Sequence, residues 1–233
     1  MTDRVIRQRA RRTTTRTGVE LSADLIVETA MSIVAKHGGE ALSVRRLGAA
    51  LGADPTAIYR YFATMDELLL EIGDRLIGLG LEGFAPGPDW RANLRDLGIR
   101  THRVYLRYPQ VAVLIAARIT GRRHEARIIE LILGELRRAG FDSLTAVRFY
   151  RTFGDMTLAF AAVDAAFTAL PDDTRTADEA RWTQAYGNVD SATLPNIADL
   201  APVILAHSGM GTYESAVTLL IEAFERHLPA DAT

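Results

Sequence analysis

Two short segments, residues 43–51 and 54–62, contain the residues whose types and spacing best suit a chemical task, the binding of nucleic acid. They are joined through Gly52, and a helix-turn-helix needs such a tight turn so that its second helix can enter the major groove of DNA. Ser43 and Asp54 can cap the two helices, whose free N–H groups suit phosphates. The outward positions of the second helix are polar or small: Thr56, Ala57 and Arg60. An ordinary pair of helices within an all-α core is the alternative interpretation.

The charge of the chain is distributed unevenly along its length. The net charge is −2, which taken alone argues against a nucleic-acid binder. Residues 1–16 carry +5 and residues 1–62 carry +4, so the rest of the chain carries −6. This asymmetry predicts a small basic module attached to a larger acidic body. A solvated basic tail without a partner is the alternative.

The composition excludes several other classes of protein. The 233 residues include no cysteine, which excludes a disulfide framework, a thiolate metal site and a cysteine nucleophile. The five histidines show no metal-ligand spacing, so we expect neither a metal ion nor another cofactor. The longest apolar run, residues 111–117, is far shorter than the roughly 20 residues that span a bilayer, and no apolar segment follows the arginine-rich N-terminus. We therefore expect a cytoplasmic protein with no membrane partner.

The spacing of apolar residues predicts an all-α fold. They recur every three or four residues and are interrupted by glycine and proline. Helix starts are predicted at Ser22 and at Thr64, where Glu67 completes a capping box. The predicted organisation is a flexible basic arm over residues 1–19, a three-helix domain with the helix-turn-helix over 20–68, a linking helix and break over 69–87, and a larger helical domain over 88–233.

Residues 42–69, LSVRRLGAALGADPTAIYRYFATMDELL, resemble the DNA-binding segment of the tetracycline-repressor (TetR) family of transcription regulators. The combination carries the resemblance: a small-residue face before LG, a Pro/Thr helix start, a Tyr-x-x-Phe pattern and an acid-Glu-Leu-Leu helix opening. The resemblance covers roughly residues 22–72. It implies a homodimer whose recognition helices enter successive major grooves of a palindromic operator in double-stranded DNA.

The same resemblance implies which side chains meet the DNA. Base edges and nearby phosphates would be approached from the starts of the two short helices by Ser43, Val44, Arg45, Pro55, Thr56 and Ala57. Arg45 would read a base such as guanine, whose O6 and N7 suit a guanidinium. Tyr59 and Tyr61 would hold phosphates through their hydroxyls, and the basic arm would follow a minor groove or only raise affinity. One departure is Met65, where family members commonly place a lysine that meets a phosphate.

Residues 90–118, WRANLRDLGIRTHRVYLRYPQVAVLIAAR, resemble the opening of the effector domain in the branch of the family closest to the tetracycline repressor itself. This implies an effector-binding and dimerisation domain over residues 88–233, paired through a four-helix bundle with two helices from each subunit. We expect the long helix over residues 143–170 and the last helix over 213–227 to form that bundle. The long helix also has a stripe of small residues that permits close helix contact: Gly154, Leu158, Ala161, Ala165 and Ala169.

A second stripe on the long helix is bulky and apolar: Phe149, Phe153, Met156, Phe160 and Phe167. It is either the wall of an effector pocket or plain core. Asp155 and Asp164 lie in the same helix, where a charge needs a partner. The partner would be a cationic or hydroxylated ligand or one of three arginines: Arg118, Arg148 and Arg151. The predicted effector-binding residues are His102, Tyr105, Arg118, Phe149, Phe153, Met156, Phe160 and Asp164, although His102 also suits a core hydrogen bond.

These observations predict a sequence-specific DNA-binding transcription regulator, a repressor that a small-molecule effector releases from a palindromic operator. The helix that begins at Thr64 would link the pocket to the DNA-binding unit. One alternative is an architectural protein that binds DNA without sequence preference. Another is an all-α enzyme that uses the C-terminal pocket, but the sequence has no glycine-rich phosphate loop, zinc-protease motif or nucleophile elbow. We therefore expect no enzymatic activity.

Overall fold

The computed structural model of the protein describes residues 20–207 and 212–228, and it confirms the all-α fold, with an N-terminal helix-turn-helix and a larger helical part. Within these residues the helices are α1 (Ala23–His37), α2 (Val44–Leu51), α3 (Pro55–Ile58), α4 (Met65–Leu81), α5 (Trp90–Arg107), α6 (Pro109–Ile115), α7 (Arg123–Arg138), α8 (Ser143–Thr168), α9 (Asp172–Gly187), α10 (Pro195–Ala206) and α11 (Thr212–Glu225). A 3₁₀ turn (Gly39–Ala41) follows α1. The basic arm predicted over residues 1–19 lies outside the described residues.

No single helix in the described ranges is long and apolar enough to cross a bilayer. The helices α8 and α9 meet that criterion only as a pair bent by 109°.

Side-chain caps start the helices where the sequence predicts them. The hydroxyls of Ser22, Ser43 and Thr64 each accept a hydrogen bond from the backbone N–H three residues later, at 3.1–3.2 Å. The Glu67 carboxylate reaches back and accepts from the Ala63 N–H at 2.8 Å. Each bond satisfies a donor that a helix start leaves unpaired, so the boundaries of α1, α2 and α4 follow from local chemistry.

The recognition helix α3 is shorter than the segment predicted over residues 54–62. The N–H groups of Arg60 and Tyr61 bond to carbonyls three residues earlier, at 3.3 and 3.0 Å, so the chain tightens into turns after Ile58. Bonds of this kind end an α-helix because they use its last carbonyls at a narrower pitch.

One core cluster joins the N-terminal helices to the rest of the molecule. It contains the buried apolar side chains of α1, α2, α3 and the start of α4 together with six residues of α5, α6 and α8: Tyr105, Val111, Ala112, Ile115, Ala161 and Ala165. A Cβ added to Gly39 would lie 2.5 Å from a methyl carbon of Leu114, so α6 packs directly on the turn after α1. The domain boundary after residue 68 remains a prediction, and this core extends across it.

A second core cluster holds α5, α7, α8 and α11 together. Its largest members are aromatic, and Trp90, Phe141, Phe149 and Phe224 form a chain of ring contacts. The helices α9 and α10 differ, because they pack chiefly against each other and bury no residue. Three of their large apolar side chains are exposed: Trp182, Leu200 and Val203.

Candidate nucleic-acid interface and ligand cavity

The turn between α2 and α3 presents a compact outward face. Gly52 takes the left-handed conformation (φ 59°) that ends α2. A Cβ added to Gly48 would lie 2.9 Å from Pro55 Cγ and 3.1 Å from its backbone nitrogen, so only glycine allows the two helices to cross this closely. The sequence analysis did not single out Gly48, because its role depends on a contact rather than on a pattern.

Most of the predicted DNA-binding residues lie on this face. Ser43, Arg45, Pro55, Thr56 and Tyr59 are exposed, and Val44 is half-buried. Half of the Tyr59 surface is accessible, and its hydroxyl bonds to no described residue.

Asp54 caps α3 through one carboxylate oxygen. The Thr56 N–H and hydroxyl both donate to Asp54 Oδ1, at 2.8 and 2.7 Å. The negative charge of Asp54 therefore lies at the positive end of the α3 helix dipole, where it stabilises the helix. Because the Thr56 hydroxyl hydrogen is also used in this cap, Thr56 can offer DNA only its oxygen lone pair and its methyl group.

The prediction for Ala57 is corrected by its burial. Only 2% of its surface is exposed, because it packs into the core beneath α3, so its side chain cannot contact a base. Tyr61 is corrected for a different reason. Its hydroxyl donates to the carbonyl oxygen of Leu21, forty residues earlier. A phosphate accepts hydrogen bonds, and a hydroxyl has one hydrogen to donate, so Tyr61 ties α3 to the start of α1 instead of holding a phosphate.

Two further cations belong to the same face. Arg46 and Arg60 are exposed, and like Arg45 they form no ion pair with any described residue. The sequence already predicts Arg60 as an outward position of the second helix, whereas the exposure of Arg46 comes from the structure. Three unpaired guanidinium groups make this face suited to a polyanion.

A cavity of about 580 Å³ lies in the larger helical part of the molecule. Five helices contribute to its wall: α4, α5, α6, α7 and α8. Three of the predicted effector-binding residues line it: Tyr105, Arg118 and Phe153. The volume and the mainly apolar wall are typical of small-molecule sites.

The other five predicted effector-binding residues lie outside the cavity wall, among the second core cluster: His102, Phe149, Met156, Phe160 and Asp164. His102 Nε2 lies 2.7 Å from Asp164 Oδ2, and the His102 ring stacks on Tyr213. Phe149 stacks on Phe224 at a ring-centroid distance of 4.0 Å. These five residues do not line this cavity, because they lie where α8 faces α5 and α11, and their role as effector contacts stays a prediction.

Both acidic side chains of α8 have a partner within the protein. Asp155 lies 3.8 Å from Arg151, one turn earlier, which is one of the predicted partners. Asp164 pairs with His102 rather than with an arginine. Arg118 instead pairs with Asp66, in the first turn of α4, at 2.8 Å.

The small-residue stripe of α8 packs inside the subunit. Gly154 and Leu158 line the cavity, and Ala161 and Ala165 are fully buried in the first core cluster. The close helix contact that these small residues permit is therefore made, at Ala161 and Ala165, with α6 of the same subunit. Other apolar residues of α8 are exposed, namely Leu144, Val147 and Val163, and so is Leu219 of α11.

Three polar side chains of the cavity wall are Tyr105, Tyr150 and Glu125. The sequence predicts only Tyr105 as an effector contact, and the structure adds the other two. Tyr105 is 2% exposed, and its hydroxyl bonds to no described residue. Burial, and to a lesser extent the charge of Glu125, raise the pKa of Tyr105. Glu125 accepts hydrogen bonds from the Thr120 hydroxyl at 2.8 Å and from the Gly121 N–H. From the sequence alone, Glu125 would be interpreted only as a residue that caps the start of a helix.

Asp74 is a further residue whose role was not predicted from the sequence. It lies on α4 with 1% of its surface exposed, next to the cavity wall. Its carboxylate accepts from the backbone N–H groups of His124 and Glu125, both at 3.0 Å, and His124 Nδ1 lies 2.8 Å from Asp74 Oδ2. Asp74 thus caps α7 from the side of α4. An acid within the apolar run LLLEIGDRLIGLG was the available signal.

Two family models match the chain. Residues 26–72 match the bacterial regulatory proteins of the tetR family, and residues 84–225 match the tetracyclin repressor-like C-terminal domain. The first match contains α2 and α3, and the second contains the residues of α5 to α8 that line the cavity.

Individual relatives agree with these matches. An HTH-type transcriptional regulator of Saccharopolyspora erythraea is 29% identical over 126 residues, which cover 54% of this chain and 53% of that protein. The HTH-type transcriptional repressor DrrR1 of Streptomyces coeruleorubidus is 35% identical over 96 residues, 38% of this chain and 33% of that protein. The matches therefore span about half and a third of these relatives. The structure of Streptomyces coelicolor ActR in complex with actinorhodin has a TM-score of 0.78 at 19% identity, covering 91% of this chain and 98% of that one, which shows a shared fold.

Proposed function

Because the chain belongs to the TetR family of transcription regulators, we propose that it is a repressor that binds a palindromic operator as a homodimer and is released by a small-molecule effector. The observation that carries this proposal is the course of α4. It begins directly after the α2–α3 face, and its Gly73 and Ile77 line the cavity. One rigid element thus connects a candidate DNA surface with a candidate ligand site.

The α2–α3 face would read the operator. Arg45 would bond to a base, and the start of α3 would approach neighbouring base edges through Pro55 and Thr56. Phosphates would be bound by the Tyr59 hydroxyl and by two additional cations, Arg46 and Arg60. The capped helix starts at Ser43 and Asp54 bring their remaining N–H groups to the same side. The similarity to DrrR1, which is named as a repressor, favours repression over activation.

The cavity would act on the DNA-binding helices through two contacts. A ligand that pressed on Thr120 or Glu125 would shift the start of α7, and Asp74 would pass that shift to α4. The second contact is α6, whose Ile115 lines the cavity while Leu114 packs against Gly39 beside the DNA-binding helices. Coupling of this kind is worth about 1–3 kcal/mol in binding regulators, or about 5–150-fold in operator affinity.

A second copy of the chain would cover the exposed apolar side chains of α8 and α11: Leu144, Val147, Val163 and Leu219. The helices α9 and α10 add exposed apolar surface that the subunit itself leaves uncovered. Exposed apolar side chains on these helices favour an interaction with another protein surface. We therefore assign the dimer bundle to the helices predicted from the sequence. Such a regulator acts where the chromosome lies, so we place it in the cytoplasm and assign it no enzymatic activity.

Selection of random duplex DNA on the purified protein at moderate salt tests the proposal. We expect an enriched palindrome whose half-sites are separated by about one helical turn or a multiple of it. The variant Arg45→Ala, selected in parallel, should lose preference at one position in each half-site. Binding without any enriched sequence that only fades as salt rises would instead support the architectural alternative. Turnover of a small molecule by the purified protein would support the enzyme.

A further inference from the structure

The charged groups of the cavity wall are two carboxylates, Glu125 and Asp155, and two arginines, and two phenols also line it; much of the remaining wall is apolar. We infer that the cavity takes an apolar ligand bearing a protonated amine, which Glu125 binds together with the oxygens of Tyr105 and Tyr150. The inference rests on the proposed function for the role of the cavity as an effector site. The class of ligand follows from the charges and hydrogen bonds of the wall itself.

Glu125 is the charged group that lacks a partner of opposite sign. Its two hydrogen bonds, from the Thr120 hydroxyl and the Gly121 N–H, both end on Oε2. Among the described residues, none bonds to Oε1 and no cation pairs with the carboxylate. The nearby Arg122 is paired elsewhere, with Glu71 at 3.3 Å. A carboxylate in an apolar wall is costly unless a positive group accompanies it, and a ligand can supply that group.

The positive charges of the wall already have partners. Arg118 pairs with Asp66, and Arg151 pairs with Asp155. A ligand carboxylate or phosphate would therefore find no unpaired cation among the described wall residues, and it would be repelled by Glu125. An ammonium group meets the opposite situation, because its charge complements the one unpaired carboxylate.

The two phenols complete the recognition of the amine. Tyr105 and Tyr150 both line the cavity, and the Tyr105 hydroxyl bonds to no described residue. Burial is the main cause that raises the pKa of both, and the charge of Glu125 also raises it, although Arg151 partly offsets the rise at Tyr150. Both phenols therefore stay neutral and keep oxygen lone pairs. An alkylammonium has three N–H donors, which matches one carboxylate and two phenol oxygens. Their ring faces can also attract a cation.

The rest of the wall suits a hydrocarbon body. The α4 and α7 side of the cavity is rich in isoleucine, and the α8 side contributes an aromatic ring: Ile77, Ile128, Ile129, Ile132 and Phe153. A ring system the size of naphthalene leaves room within about 580 Å³ for a short arm that carries the amine.

Three probes with the same ring test the inference: 2-(2-naphthyl)ethylamine, 2-(2-naphthyl)ethanol and 2-naphthylacetic acid. Their binding to the full chain without DNA is measured by calorimetry near pH 7. We expect the amine to bind about tenfold or more tightly than the alcohol, because its hydrogen bonds are charge-assisted, and the acid to bind most weakly. Glu125→Gln keeps an oxygen that can accept the Thr120 and Gly121 hydrogen bonds. It should make the protein bind the amine no more tightly than the alcohol, while the affinity for the alcohol stays within about twofold of the wild-type value.

Two further variants keep the test decisive. Glu130→Gln removes an exposed carboxylate from the same helix and should change nothing. Tyr105→Phe keeps the ring but removes the hydroxyl, and it should weaken binding of the amine about threefold or more. This variant provides a separate test if Glu125→Gln lowers the stability of the protein. Equal or tighter binding of the acid, an amine preference that survives in Glu125→Gln, or no binding of any probe would overturn the inference.

The outcome is separate from that of the operator selection. An amine preference without any selected operator would support the ligand class and contradict the proposed function as a regulator. A selected operator without an amine preference would support the proposed function and contradict the ligand class.

Discussion

The α2–α3 face and the cavity differ in how far apart in the chain their residues lie. The face is built from residues 43–60, a single continuous stretch whose orientation is set by caps and by one tight turn. The cavity is lined by residues between positions 73 and 162, drawn from five helices. A site of the first kind is positioned by local chemistry. A site of the second kind depends on how helices pack, and a sequence pattern on one helix does not determine that.

The largest effect is expected at the contact that holds the α2–α3 face together. Gly48→Ala places a methyl group 2.9 Å from Pro55 and should force α3 away from α2. We expect a loss of about 1–3 kcal/mol in the free energy of unfolding and at least a hundredfold loss of operator affinity, as order-of-magnitude values. Thermal unfolding and fluorescence anisotropy with a selected operator measure the two.

Gly134→Ala is the matched control for that substitution. Gly134 is an exposed helical glycine with open space around its Cβ position, so alanine there should raise stability by up to about 1 kcal/mol. Operator binding should stay unchanged. A Gly48→Ala protein that bound operator normally would show that the face does not depend on this crossing.

A single side chain on the face should have the next largest effect. Arg45→Ala should cost about 1–3 kcal/mol of operator affinity and relax specificity at one base pair, because a base contact carries sequence information. Arg137→Ala, an exposed arginine on α7, controls for the change in net charge. A uniform loss across all sequences, with a smaller salt dependence, would make Arg45 a phosphate contact instead.

The smallest effects separate two tyrosines that the sequence treats alike. Tyr59→Phe should lower operator affinity by about 0.5–1.5 kcal/mol without changing stability, since its exposed hydroxyl has no described partner. Tyr61→Phe should instead lower stability by about 1 kcal/mol, since it leaves the Leu21 carbonyl without its donor. Operator titrations and unfolding curves of both proteins distinguish the roles. The opposite assignment of the two losses would return Tyr61 to the DNA contacts.

The difference between these tyrosines shows where prediction from sequence stops. The caps at Ser22, Ser43 and Thr64 bond to groups three residues away, so their helices could be predicted from neighbouring residue types. The partner of Tyr61 is forty residues away, and that of His102 is sixty-two residues away. No local pattern specifies such pairs.

The same limit applies to α8. Its two stripes can be identified from helical spacing, but that spacing defines a face without saying which helix packs against it. In the structure, the small residues Ala161 and Ala165 pack in the first core cluster with α6, and Phe149 packs against α11. Glu125 and Asp74 were missed because each makes sense as a solvated or capping acid until α4 and α7 are placed side by side.

The coupling of the two regions through Asp74 is tested most directly by measuring operator affinity with and without a saturating cavity ligand, in the wild type and in Asp74→Asn. The ligand is the naphthylethylamine or any compound that displaces it, and Asp199→Asn, exposed on α10, is the control. We predict that the ligand weakens operator binding about 5–150-fold in the wild type and the control. In Asp74→Asn the effect should shrink to about threefold or less, with ligand affinity retained. The amide oxygen can still accept the backbone bonds of His124 and Glu125, but the variant loses the negative charge at the start of α7 and the acceptor that faces His124 Nδ1. An undiminished effect in Asp74→Asn would contradict the account.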